Sequence, residues 1–144
     1  MPNPWIEIIG MPVFSKKNSK VIAGKKLLSS ERVRDYEHFM IPLYNIKKKY
    51  WREQFEHEQK PVTVEFYFIR PTKAKFDWVN IAQLPLDMMQ AAGWIKDDDC
   101  YTVNPVFVGW EINPDAGKCG VRIRVRKTEE EETKHEETQN INSN

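Results

Sequence analysis

An apolar segment from Trp78 to Ala92 is bounded by Asp77 on one side and by the run Asp97-Asp98-Asp99 on the other. No other stretch restricts the fold as much. Ile81, Leu84, Met88 and Ala91 or Ala92 recur at helical spacing, and Gly93 is the residue type that ends such a helix. A largely apolar helix must be covered, so the chain has to fold back around it, and its acidic ends can then approach one another. Pro85 lies inside the segment and predicts either a kink near the middle or an irregular first turn.

Acidic ends that meet could share a hard divalent cation that neither would hold alone. Mg²⁺ is commonly held by one or two carboxylates completed by water and substrate phosphates, so a pair suffices. Spacing alone leaves a second reading open, in which Asp77 caps the helix and the aspartate run is a solvated turn.

The net charge of +1 conceals an asymmetry. Residues 128–144 hold six Glu against one Lys, a charge of −5, which leaves the body with 21 Lys and Arg against 15 Asp and Glu, or +6. The tail lacks aromatics and apolar periodicity and is expected to be disordered and solubilising, or to compete with a polyanion for the basic body. The chain is therefore divided into one folded domain, 1–127, and an acidic tail, 128–144. Cys100 and Cys119 have no zinc spacing and are too few for a disulfide framework, so both are expected as thiols. There is no secretory pattern and no apolar run of about 20 residues, which points to a cytoplasmic protein.

Trp5–Ile9 reads as a strand, followed by the polar basic loop Ser15–Lys20. Ser30 is the expected N-cap of a helix over Glu31–Tyr50, with Val33, Tyr36, Met40, Leu43 and Tyr44 on its inner face and Arg34 outside; Pro42 predicts a kink or two shorter helices. Val62–Arg70 alternates as a strand, with Val62, Val64, Phe66 and Phe68 on one face and Thr63, Glu65 and Tyr67 on the wetter one. Tyr101–Trp110 and Gly120–Arg126 complete a β, α, β, α, β, β order, that is, a small α+β domain with a mixed sheet and two or three helices. On the last strand Arg122, Arg124 and Arg126 share a face, either tracking a phosphate backbone or forming a solvated or anion-opposed sheet face.

The run Phe76-Asp77-x-x-Asn80, an apolar helix containing Asp87, Ala-Gly, then Ile95-Lys96-Asp97-Asp98 resembles the RusA family of Holliday junction resolvases, whose core reads D-x-D-N, helix, A-G, D-D. The polar Lys17-Asn18-Ser19-Lys20 loop after the first strand and Ser29-Ser30 before a Tyr-containing helix extend the resemblance over residues 5 to about 126. It implies an endonuclease that acts as a homodimer on four-way DNA junctions with Mg²⁺. Asp77 and Asp98 fall on the family's metal-binding aspartates. Asp97 would orient water or bind a second ion, and Asn80 would complete the site.

Two positions depart from the family pattern: Val79 stands for the second Asp of D-x-D-N, and Gln83 for a catalytic Lys. Either Asp97 or Asp99 supplies the missing ligand and Lys73, Lys75 or Lys96 the missing ammonium, or the fold persists as a junction binder that does not cut. DNA contacts are expected from Lys16, Lys17, Asn18, Lys20, Lys73 and Lys75, with Lys25 and Lys26 beside them. Trp78 and Trp94 are expected in the core or a dimer interface, with base stacking as the alternative. His38, His57 and His135 have no zinc-ligand spacing, and neither a Gly-rich phosphate loop nor a serine nucleophile elbow is present. Outside nucleic-acid chemistry, a small interaction protein whose aspartate run is a turn remains the competing class.

Overall fold

A computed structural model describes residues 1–16, 20–23, 26–29 and 31–128, with 20–23 and 26–29 given by their backbone. The elements are β1 (Ile6–Ile9), β2 (Lys20–Ala23), β3 (Lys26–Ser29), α1 (Glu31–Phe55), β4 (Val62–Arg70), α2 (Trp78–Ala91), β5 (Val103–Ile112) and β6 (Gly120–Val125). The main sheet has the order β1-β6-β4-β5, and β2 pairs with β3 as a separate hairpin. β6 is antiparallel to both β1 and β4, whereas β4 and β5 run parallel through the α2 crossover. The fold is thus the α+β domain with a mixed sheet expected from the element order. The acidic tail from residue 129, Ser30 as a cap, and Lys17, Asn18 and Lys25 lie outside the described residues.

Alternation along the strands separates two faces. Ile6, Ile8, Val62, Val64, Phe66, Phe68, Val121, Ile123 and Val125 are buried in one core with the inner face of α1 and most of α2. The opposite face carries the arginines of β6, and there Glu65 is only 6 % exposed, drier than its place on a wet face suggests. Arg124 and Arg126 account for this: their guanidinium Nε atoms lie 3.4 and 3.6 Å from Glu65 Oε1. Arg122 in turn contacts Glu7 at 3.1 Å and Glu111 at 3.4 Å. The three arginines of this ladder are thus opposed by glutamates of β1, β4 and β5.

Both prolines sit inside continuous helices. Pro42 is exposed, so the carbonyl that it deprives of a partner lies on the water-facing side, while Val33, Tyr36, Met40, Tyr44 and Trp51 bury the other side. One helix of 25 residues stands where two shorter helices were one expectation. Pro85 is buried within α2, which begins with a regular first turn at Trp78. Core packing on both sides of each proline offsets the lost intrahelical bond.

The turn after α2 has a sequence-specific cause. Gly93 takes φ +76°, the Gly93 N–H donates to Gln90 O, and the Trp94 N–H donates to Met89 O at 2.8 Å. This is a Schellman ending, which requires the left-handed residue that glycine supplies at least cost. Trp94 then anchors the returning chain. Its indole stacks on Trp51 at 5.4 Å and donates to Tyr44 O, while the Trp51 indole donates to Trp94 O, both hydrogen bonds being 2.9 Å. Trp94 is therefore a core residue.

Candidate functional site

Asp77 is held by its neighbours in sequence. Phe76 packs edge-on against Trp110 and Trp78 at 5.1 and 4.8 Å, and Trp78 stacks on Phe107 at 5.3 Å. These contacts clamp the start of α2 to β5 and leave Asp77 exposed between two anchored rings. Trp78 is thereby engaged in packing. The Asp77 side chain caps α2: its Oδ1 accepts the Val79 N–H at 2.9 Å and the Asn80 N–H at 3.4 Å.

Asp77 and Asn80 line a cavity of about 250 Å³ together with Ser15, Arg32, Arg70 and Lys75. Two of these residues each carry a polar atom shut off from solvent and without a hydrogen-bond partner among the described residues, Ser15 Oγ and Arg70 Nε. Burial lowers the pKa of Arg70 from its ordinary value. Asp97, Asp98 and Asp99 are not among the lining residues.

Asp97 and Asp98 instead lie beside the C-terminal half of α2. Asp97 Oδ1 accepts from Gln90 Nε2 at 3.4 Å and from the Asp98 N–H at 2.8 Å. Asp98 is half-buried, and its carboxyl is pushed above the usual range, first by burial and then by a hydrogen bond to Asp97 and by the Asp97 and Asp87 charges. Asp87, ten residues along the helix from Asp77, is about 15 Å from it in axial rise. Asp77 and Asn80 thus share the cavity at the start of α2, while Asp98 interacts with Asp97 and with Asp87. Asp99 is a turn residue, its Oδ1 accepting from the Tyr101 N–H and the Thr102 hydroxyl. Among the described residues, no group of three or more Asp, Glu, His and Cys could hold a metal ion.

The cation that shares Asp87 with Gln83 is Lys16. Gln83 Nε2 donates to Asp87 Oδ1 at 2.8 Å, and Lys16 Nζ lies 2.6 Å from Asp87 Oδ2. Lys16, expected as a free DNA contact, is thus committed to α2. The sequence pointed to neither this pair nor Arg32 and Arg70 in the cavity, because no local spacing connects residue 16 to 87 or helix α1 to the end of β4. Lys75 lines the cavity; Lys73 and Lys96 are exposed. Val79 is 70 % exposed, so nothing packs where the family pattern places an aspartate. Lys20 and Lys26 are placed by backbone only, at the starts of β2 and β3.

Cys100 and Cys119 are free thiols. No helix among the described residues is long and apolar enough to cross a membrane. The chain matches no family model and no curated protein.

Proposed function

We propose that this protein is a Mg²⁺-dependent endonuclease that cuts branched DNA, with the four-way junction as its preferred substrate. The observation that carries the reading is electrostatic: Asp98 is half-buried beside two further carboxylates, Asp97 and Asp87, and its charged form is disfavoured there. A hard cation would relieve that penalty, and these oxygen donors suit Mg²⁺, which needs only one or two carboxylates. Asp98 and Asp97 are the proposed holders, with Asp77 and Asn80 facing the substrate from the cavity at the other end of α2. When bound, the metal supplies polarisation of a phosphate oxygen and a water of lowered pKa. Within the chain, Lys16 neutralises Asp87, and Lys75 attracts phosphate to the Asp77 end.

The resemblance of residues 76–98 to the RusA pattern supports the same reading and extends it to a homodimer. β5, at the end of the sheet order, exposes Val108, Trp110 and Ile112, an apolar edge suited to a second copy. A catalytically silent junction binder of the same fold is the second reading. It is favoured by Val79, an exposed apolar side chain beside Asp77 where a metal ligand is absent.

A gel assay on a synthetic four-way junction separates the two. Paired nicks with Mg²⁺ and none with EDTA support the nuclease. A shifted band without cleavage in either condition supports the binder. Absence of both at low salt eliminates nucleic-acid function.

A further inference from the structure

We propose that the cavity bounded by Ser15, the first turn of α1, the end of β4 and the start of α2 is a pocket for a phosphoryl group, held by Arg32, Arg70 and Lys75 without a metal. The inference does not need the nuclease reading, because it rests on the charge, size and lining of the cavity. Three cations line it against one carboxylate, Asp77, which is the charge balance that a phosphate dianion would neutralise. None of the three cations forms an ion pair with a carboxylate among the described residues.

Two further observations point to a ligand. Ser15 and Arg70 line the cavity, and each carries a buried polar atom, Ser15 Oγ and Arg70 Nε, without a partner among the described residues, an arrangement that costs free energy and that a small rearrangement around a bound acceptor would relieve. The guanidinium groups are also held in place. Arg32 lies 3.8 Å over the Phe14 ring, while Arg70 lies 4.4 Å over Phe76 and donates to Ala74 O at 2.7 Å. Ordering them beforehand reduces the entropy lost on binding, and their planar forks match phosphate oxygens.

Size restricts the ligand. About 250 Å³ falls below the roughly 300–1,000 Å³ of sites that enclose a drug-sized molecule, so the pocket suits a phosphoryl group and leaves the attached nucleoside outside. The helix terminus is not the donor here, since Asp77 already takes the Val79 and Asn80 N–H groups. Recognition falls to the side chains.

Calorimetric titration of inorganic phosphate into the whole protein in EDTA, with no DNA present, tests this. Saturable binding is expected, weakened about tenfold in Arg32→Gln and in Lys75→Gln and strengthened in Asp77→Asn, as addition or loss of one nearby charge requires. Arg70 also ties down Ala74, so the test relies on the two exposed cations instead. No saturable binding in the wild type, or wild-type affinity in both cation variants, overturns the pocket and leaves the nuclease reading on its carboxylates. Conversely, failure to cut junctions leaves the phosphate titration unaffected. Competition by an oligonucleotide with a 5′-phosphate but not by its 5′-hydroxyl twin assigns the ligand to a strand end. Equal competition by both assigns it to the backbone, and competition by neither to free phosphate.

Discussion

Lys16 and Asp87 are joined by an ion pair of 2.6 Å across 71 residues of chain, and that contact ties the segment after β1 to the middle of α2. Both side chains are partly covered, at 22 % and 33 % exposure, so the pair is less screened than a fully exposed one. The opposite oxygen of Asp87 accepts from Gln83, so each carboxylate oxygen has a partner.

Lys16→Ala should destabilise the fold by about 1 kcal/mol, the scale of a charge-assisted hydrogen bond discounted for partial exposure. Urea unfolding at low and high salt checks this, and the difference from wild type should shrink in salt. An unchanged midpoint at both salt concentrations would mean that the pair contributes nothing in solution.

Asp77 has a structural and a proposed chemical role, and two substitutions separate them. Asparagine caps a helix about as well as aspartate, so Asp77→Asn should stay within about 0.5 kcal/mol of wild type, whereas Asp77→Ala should lose about 1 kcal/mol. Metal-dependent cutting should be lost in both. A cutting Asp77→Asn variant at wild-type rate removes Asp77 from the proposed site.

Val79→Asp combined with Gln83→Lys restores the family pattern at two exposed positions of α2, so stability should change by less than about 0.5 kcal/mol. Junction cleavage should rise. In a well-folded double variant, unchanged cleavage would show that the chain operates with another ligand set.

The raised pKa of Asp98 has a definite sign in stability. The folded state binds the proton more tightly than the unfolded one, so stability falls as pH rises from the unfolded-state value through the folded one, and the penalty persists above it. Asp98→Asn should therefore be more stable than wild type at pH 7, and the gain should vanish in acid below the unfolded-state pKa. Denaturant midpoints at both pH values measure it; a gain that is independent of pH would refute the electrostatic cause. Added Mg²⁺ should stabilise wild type at pH 7 and not the Asn variant.

Gly120 faces the backbone of β1 at the register Ile9↔Gly120. A Cβ there would stand 2.1 Å from Ile8 O, and backbone cannot yield as a flexible side chain does. Gly120→Ala should cost about 3 kcal/mol and expose the β1 amides to hydrogen exchange, whereas Gly109→Ala, which meets only the Tyr67 ring at 3.3 Å, should cost less.

The elements were legible where periodicity is strong. Val62–Arg70 has the bounds read from its alternation, and α2 ends at the glycine marked for it, because those signals are local and agree with burial. The division expected at Pro42 and the irregular first turn expected at Pro85 are not found, since a proline's cost is local but the packing that offsets it comes from the other elements. The site was legible only in part. Asp77 as a cap follows from spacing, whereas the pairing of Lys16 with Asp87 and the meeting of Arg32, Arg70 and Lys75 follow from none.

The chain by itself determined the two helices and the four strands of the main sheet, because hydrophobic period, capping residues and glycine act over a few residues; the β2–β3 hairpin was not read from it. Only the tertiary structure decided which charges answer one another. It set Arg122, Arg124 and Arg126 against Glu7, Glu65 and Glu111, sent Lys16 to Asp87, and gathered Arg32, Arg70 and Lys75 around one cavity. Coulomb interactions depend on distance in space and on burial, and both arise only once the sheet has brought remote segments together.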